Sequence, residues 1–500
     1  MNEVTLKHLL LIDIDALRAD VFANALQQGL LPNIERLLGG AEMTRGMQIS
    51  ALSTAPSITF CAQASLFTGA HPNQHGIPGN QFFDRFGDAP AGKPRFYAFD
   101  VGDTLQVNDA VKVFTHDLAM KRLRVPTIYE MMAERGKTAV IAGNMYANKS
   151  STWLKPSLTN LGRFLKGGNL FGMTPEAYDR HILNKLLKHI RKNGLPHIIT
   201  LYFMGLDFTS HEKGPTAQSD YLVKHIDPMI GELWQAMQQK QPDVESRTLV
   251  ALFSDHGQIE VIHDDRHSLK LGFPFDREMA SFFDAIGLDV HDFPGEAPNC
   301  NAVLALNGGT AHVYLHNHSG NWQTPPDFQR DVLPVGRAFW EAHQTGKYSI
   351  DLQGAISGVL LRNVEQDDWD APYQALAPNG KIVPLANWFS QQPQTGYANP
   401  ISRLQNLIGR YSGDILLISN YAEQFYFGDE HKGVHGGLHP DDSQATMAFG
   451  WPGLSAANWQ PIQEIITQSI QQRCQTEGNR QPCITDLVTG LTAVTDQFWA

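Results

Sequence analysis

The chain has 500 residues, 42% hydrophobic and 18% charged, with a formal net charge of −12. That length and apolar content suit a large α/β enzyme with ample core, not a disordered or fibrous chain. The acidic balance, with no Lys/Arg-rich tract against it, argues against a general binder of nucleic-acid backbones, although a metal site can still draw in an anionic substrate.

The N-terminal stretch "MNEVTLKHLLLIDID" is too short in apolar residues for a secretion signal and reaches Asp13 at once, so a cytoplasmic protein is expected. No run approaches the roughly 20 apolar residues of a membrane span, so no membrane association is expected either. "KHLLLIDI" (Lys7 to Ile14) reads as a parallel strand buried on both faces. After it come the helix pattern "VPTIYEMMAERGK", the strand "KTAVIAG", the helix "TPEAYDRHILNKLLKHIRKNG" and the strands "HIITLYFM" and "TLVALFSD". In the longer helix Thr174 is the expected N-cap, Pro175 the first helical residue and Gly194 the stop. Strands alternating with helices predict an α/β fold whose mostly parallel sheet is sandwiched by helices, with ligands beyond the carboxyl ends of the strands.

From about 266 to 410 the pattern loosens into Gly-, Pro-, Asn- and Gln-bearing sequence, with "TAHVYLHN" (Thr310 to Asn317) as an isolated strand. This region reads as an inserted cap or lid. The catalytic core would then comprise residues 1–265 and 411–500, its sheet resuming at "DILLIS" (Asp414 to Ser419). The Gln-rich stretch from Gln460 to Gln472 reads as a surface helix. Cys61, Cys300, Cys474 and Cys483 show no CxxC spacing, so neither a disulfide framework nor a thiolate metal site is expected.

Carboxylates and imidazoles recur where the core strands end: Asp15, then Asp207 and His211 in "MGLDFTSHEKGP", Asp255 and His256 in "FSDHGQ", and His435 in "KGVHGGLHP". One Asp after a strand is usually a cap or turn former, and one His beside a Gly is usually structural. Six at equivalent strand ends suit a pair of divalent ions, because Asp and His are ligands matched to zinc. Two such ions against three carboxylates leave a small positive surplus, which favours a hydrolytic centre over a structural one.

"LIDIDALRAD", "TFCAQASLFTGAHPNQHGIPGN", "LDFTSHEKGP", "SDHG" and "GVHGG" together resemble the ordered motifs of the alkaline phosphatase superfamily, in its type I phosphodiesterase/nucleotide pyrophosphatase branch. "ATMAFGWPG" (Ala445 to Gly453) continues the likeness, and the cap region shows none. The resemblance implies an alkaline phosphatase-like core and two zinc ions, with Mn2+ or another divalent metal as the alternative. Asp207, His211 and His435 would hold one ion. Asp15, Asp255 and His256 would hold the other, with Thr59 reaching toward it as the nucleophile of a phospho-threonine mechanism. Asn80 would donate to a non-bridging phosphate oxygen. Asp13 competes with Asp15, and His431 and His439 with His435; "DALRAD" and the flanking glycines favour Asp15 and His435.

A free threonine hydroxyl is a poor nucleophile near neutral pH, and a metal ion remedies that. The start of a helix adds a positive dipole end and free N–H groups. By itself Thr59 would read as an N-cap. Phe60 and Tyr202 are candidate walls of an apolar pocket for the ester group, with core packing as the alternative. His71 and His75 read as loop braces and Cys61 as packing. The sulfatase context is absent, and no Arg or Lys lies between Ile58 and His71. The expected substrate is thus a small phosphate ester or nucleotide, hydrolysed as a diester or pyrophosphate. A phosphomonoesterase or phosphonate hydrolase is the nearby alternative, and a non-catalytic metal-containing binding protein the one from another class. The oligomeric state is not legible.

Overall fold

The structure, a computed structural model, describes residues 4–100, 108–165, 172–270, 278–291, 294–297, 300–364, 368–392 and 396–499. Two seven-stranded sheets organise them. The first contains β1 (His8–Ile14), β2 (Gly46–Gln48), β3 (Ala139–Ala142), β4 (Thr152–Leu154), β5 (Ile198–Phe203) and β6 (Thr248–Phe253). The second contains β7 (Val290–His291), β8 (Ala302–Asn307), β9 (Thr310–Leu315), β10 (Ile356–Arg362), β11 (Tyr373–Leu376), β12 (Ile382–Pro384) and β13 (Ile415–Ser419). The chain then returns to the first sheet with β14 (Met447–Gly450).

Strand order in the first sheet is β2-β14-β6-β1-β5-β3-β4. β1 runs parallel to both neighbours, β5 and β6, whereas β14 is antiparallel to β6 and β2 in turn antiparallel to β14 at one side. Every residue of β1, β5 and β6 is buried, because helices cover both faces, and their sequences are therefore continuous apolar runs without alternation. Successive side chains divide between two cores: Leu9 and Leu11 go to one, Leu10, Ile12 and Ile14 to the other. The helix Pro175–Asn193 lies against the second of these cores with Ile182, Leu186 and Ile190. Thr174 caps it by accepting the Ala177 N–H at 3.4 Å, as its sequence predicts.

The register of β6, β1 and β5 decides where the chemistry can be. Asp13 pairs with Phe253 on one side and Tyr202 on the other, so the three strands end level. The next residues of each strand carry Asp15, Asp207 and Asp255 to one edge.

Two sequence readings change. "DILLIS" is not a strand of the first sheet: β13 pairs antiparallel with β9 and β10 in the middle of the second. Nor is Thr310–Leu315 isolated, since β9 lies between β8 and β13. Both strands are short, fully buried apolar runs, a pattern that marks a buried strand but not which sheet buries it. The Gln-rich stretch belongs to the helix Ala456–Thr476, which buries Trp459, Ile462, Ile466 and Ile470 along one face. The four cysteines are free thiols. No helix among the described residues is long and apolar enough to cross a membrane.

The turn of the second sheet between β8 and β9 meets the segment bearing His435 at a pair of glycines. A Cβ on Gly436, at φ +95°, would lie 1.9 Å from the Asn307 carbonyl oxygen, and one on Gly308 would lie 1.9 Å from that of His435. The Gly309 N–H donates to the same His435 carbonyl at 3.0 Å. Only bare backbone permits this approach, which fixes the segment bearing His435. Gly436→Ala should therefore destabilise the fold by more than about 2 kcal/mol in urea unfolding and displace His435. A variant as stable as the parent would show that the contact can relax.

Candidate active site

The sequence places Thr59 at a helix start, and the structure defines its position in that helix. In α1 (Thr59–Thr68) the residue in the N-cap position is Ile58, with extended backbone, and Thr59 is the first helical residue. No side chain caps this end, so the Thr59 hydroxyl is not spent on the backbone. Instead Oγ1 lies 3.2 Å from His256 Nε2. The N-cap alternative for Thr59 thus fails. Residues Phe60 to Thr68 are all buried, which holds the helix start rigidly against the sheet edge.

Around Thr59 the six Asp and His residues converge. His435 Nε2 is 3.2 Å from His211 Nε2 and 3.6 Å from Asp207 Oδ1; His211 Nε2 is 3.3 Å from Asp207 Oδ2. His256 Nε2 is 3.4 Å from Asp255 Oδ2 and 3.6 Å from Asp15 Oδ1. Asp207, His211 and His435 form one group with ligand atoms within 4.8 Å of each other, and Asp15, Asp207 and His256 form a second. Asp207 therefore faces both groups, and Asp255 reaches the second through its contact with His256.

Each imidazole is oriented from behind. Nδ1 of His211 lies 2.7 Å from the Gly433 carbonyl, that of His256 2.9 Å from the Gly257 carbonyl, and that of His435 3.2 Å from the Ser57 carbonyl. Donation from all three Nδ1 atoms assigns the tautomers and leaves every Nε2 lone pair turned inward. The carboxylates are tied as well. Asp255 Oδ1 accepts the N–H groups of Ala16 (3.1 Å) and His256 (3.0 Å), Asp207 Oδ1 accepts Gln258 Nε2 at 2.5 Å, and Asp15 accepts the Tyr202 hydroxyl.

What remains unmatched is informative. Asp15 Oδ1 and Asp255 Oδ2 are buried without a hydrogen bond. Burial, then the charges of Asp255 and Asp207, push the Asp15 carboxyl well above the usual range. Burial first, then the neighbouring His256, hold the His435 imidazole far below its ordinary value. For Asp207 burial would raise the carboxyl, but His211, His435 and His256 outweigh it and lower it. Buried orphan carboxylate oxygens facing three inward lone pairs are the donor set of divalent cations with mixed O/N ligation, so the residues fit such ions.

Asp13, the competitor of Asp15, turns elsewhere. It accepts from Gln63 at 3.2 Å and Asn144 at 3.0 Å inside the protein. His439 is likewise spent, its side chain accepting the Asp441 N–H at the start of a short helix. His431 does reach the site, with its ring 4.5 Å from that of His211, although it joins neither ligand group.

A cavity of about 390 Å³ opens over this cluster, lined by Thr59, Phe60, Asn80, His211 and His435 among others. Asn80 Oδ1 accepts the Phe60 N–H at 2.8 Å, which turns its amide nitrogen away from the helix. Helix α1 therefore offers fewer free N–H groups than its position suggests, because that of Phe60 is already engaged. Phe60 forms a wall beside Phe99, ring centroids 5.1 Å apart. Tyr202 does not line the cavity: its ring is buried in the core and its hydroxyl supports Asp15. The expectation of Tyr202 as a pocket wall is corrected, since strand alternation from a buried sheet turns it beneath the site.

Residues 9–324 match the family described as type I phosphodiesterase / nucleotide pyrophosphatase, well over half of the chain. The chain belongs to that family. An uncharacterized pyrophosphatase/phosphodiesterase of Schizosaccharomyces pombe is 26% identical over 257 residues, covering 50% of this chain and 44% of the relative. The chain thus matches less than half the length of that curated relative. Murine ectonucleotide pyrophosphatase / phosphodiesterase 5 shares the fold, with a TM-score of 0.52 at 12% identity over 89% of this chain and 88% of the other. An inactive variant of the same murine protein in complex with AMP aligns equally well, at 12% identity and a TM-score of 0.52. At that identity the likeness speaks for the α/β architecture, with its central, mostly parallel sheet between helices.

Tyr202 also provides a check on the cluster. Tyr202→Phe should raise the dissociation constant for added zinc by about 10- to 100-fold if Asp15 is a ligand, because outer hydrogen bonds orient the inner ligands. Competition with a chromogenic chelator reads this; unchanged affinity would mean the hydroxyl is only packing.

Proposed function

We propose that the protein is a metal-dependent hydrolase of small phosphate esters that favours diesters and works through a phospho-threonine intermediate on Thr59. The observation that carries this is the Thr59 hydroxyl, unspent at the first position of α1 and 3.2 Å from His256 beside the Asp/His cluster. Membership of the phosphodiesterase family and the names of its relatives support the same chemistry. Asp207, His211 and His435 would hold one divalent ion, and Asp15, Asp255 and His256 a second, zinc being the metal these ligands suit. When bound, such ions neutralise developing charge on phosphate and oxygen.

The chain's own residues do the rest. The rigid start of α1 presents Oγ1 to the phosphorus, so attack needs little reorganisation. A bond forms between Oγ1 and phosphorus while the ester P–O bond breaks and the alcohol departs. Water then attacks the same phosphorus, releasing a phosphate monoester and restoring the hydroxyl. Asn80, pinned by Phe60, donates its amide to a non-bridging oxygen. A non-catalytic binding protein would lack a ligand or the nucleophile, and none is missing.

Thr59→Ala should lower kcat by several orders of magnitude while retaining close to two equivalents of zinc in elemental analysis. Near-parental turnover, or full activity after exhaustive chelation, would overturn the mechanism. Diester preference has its own reason. A monoester brings about one more negative charge on the phosphoryl group, and among the described residues no Lys or Arg lines the cavity to meet it. The kcat/KM for bis-(p-nitrophenyl) phosphate should therefore exceed that for p-nitrophenyl phosphate, and Asn80→Ala should lower the rate on the diester. A clear monoester preference would show that a cation reaches the phosphate from elsewhere.

A further inference from the structure

The first strand runs into a strained turn. Asp15 and Ala16 are the two central residues of a turn closed by the Leu17 N–H, which donates to the Ile14 carbonyl at 3.3 Å. Ala16 sits in it at φ +60°, a left-handed conformation in which a Cβ crowds the backbone. Positive φ at the third position of a turn calls for glycine. Alanine also lacks the short polar side chain through which Asn or Asp tolerates that region. Yet the turn serves the cluster twice. It contains Asp15, and its Ala16 N–H donates to Asp255 Oδ1 at 3.1 Å.

Gln218 grips this turn from another part of the chain. Its Nε2 donates to the Ala16 carbonyl at 2.8 Å, and its Oε1 accepts the Arg18 N–H at 3.1 Å. One planar amide thus engages the backbone on both sides of Leu17. Gln218 is wholly buried and opens the short helix Gln218–Tyr221, a few residues beyond the helix Gly205–Lys213 that carries Asp207 and His211. A buried amide is costly unless paired, and this one is paired at both ends with the same turn. The Leu17 carbonyl is fixed separately, by Ser254 Oγ at 2.8 Å and Thr446 Oγ1 at 3.1 Å. The Ala16 carbonyl, the group that swings if its residue leaves positive φ, is bonded to Gln218.

We propose that Gln218 is a positioning residue for the cluster: its amide holds Ala16 in the left-handed conformation that keeps Asp15 and Asp255 aimed at a divalent ion. This rests on the reading of those two carboxylates as ligands. Released from the clamp, an alanine favours its ordinary backbone regions, and the peptide between Asp15 and Ala16 then turns its N–H away from Asp255. Asp255 Oδ1 would keep the His256 N–H and lose the other, and Asp15 would lose its direction. Glycine has no such bias against positive φ, so its turn needs the clamp less. A Gln218 that served only the packing of its own helix would matter equally whichever residue stood in the turn.

Four proteins separate these cases: the parent, Gln218→Met, Ala16→Gly and the double variant. Gln218→Met keeps the length of the side chain and removes both hydrogen bonds. Competition with a chromogenic chelator gives the zinc dissociation constant of each, and urea unfolding of the metal-free proteins gives their stability. Gln218→Met should weaken zinc binding at least about tenfold in the parent, and no more than about threefold in the Ala16→Gly background. Equal weakening in the two backgrounds, or none in the parent, overturns the proposal. A merely structural Gln218 would lower the urea midpoint alike in both backgrounds and leave zinc affinity unmoved, which overturns it too. If Gln218→Met does not fold, Gln218→Glu takes its place under the same two limits, because a carboxylate still accepts from Arg18 but cannot donate to Ala16. A parent protein that binds no zinc overturns the ligand reading instead.

Discussion

Three buried carboxylates brought together at one sheet edge are the constraint around which this protein is built. Two like charges about 4 Å apart at an effective dielectric of about 20 repel by about 4 kcal/mol. The raised carboxyl of Asp15 is burial first and that repulsion second, expressed as a proton affinity. Nothing about the local sequence requires Asp15, Asp207 and Asp255 to be near each other. The parallel register of β6, β1 and β5 does, because three strands ending level must deliver their next residues to the same place. The fold therefore holds an arrangement that its isolated parts would avoid, and hydrogen bonds from Tyr202, Gln258 and backbone N–H groups keep it from relaxing.

The imidazoles are fixed from behind. All three place Nδ1 against a backbone carbonyl, of Gly257, Gly433 or Ser57, and so turn Nε2 toward the carboxylates. Ser57 belongs to the segment that leads into α1, so the placement of His435 and that of Thr59 are coupled through two residues of chain. Gly308 and Gly436 extend this coupling to the second sheet, where the turn between β8 and β9 meets the His435 backbone. The second sheet is thereby more than a cover: it is one of the supports of the cluster.

Legibility in the sequence follows the same division. β1, β3, β5 and β6 were readable because strands buried on both faces are continuous apolar runs, and the Asp and His residues stood out because polar groups at their ends interrupt that pattern. The second sheet was not readable, since β9 and β13 have the same buried composition and pairing partners are a long-range property. Tyr202 departs from its expected role for a related reason: its place on a strand near the site is legible, but the face it occupies depends on the alternation within a sheet covered on both sides. In the sequence His431 is only a rival for His435, although its ring stands beside that of His211. Asp100 lies outside every motif, and only the cavity reveals it.

Asp100 also shows how the cavity wall and Asn80 share a support. The short antiparallel pair Gln81–Asp84 and Arg95–Ala98 begins one residue after Asn80 and ends two residues before Asp100. Phe99, between that pair and Asp100, is bonded to Asn80 through backbone and stands beside Phe60. Asn80, proposed to hold a phosphate oxygen, and Phe99 and Asp100 of the cavity wall thus flank one small hairpin, while Phe60 faces them from α1. The Asp/His cluster, by contrast, sits on the sheet edge. Changes in the hairpin can retune which ester is accepted while the cluster keeps its geometry, but they cannot leave the phosphate-oxygen donor wholly untouched. That linkage makes a discrimination between paired substrates, measured on the same protein, the meaningful quantity for this wall.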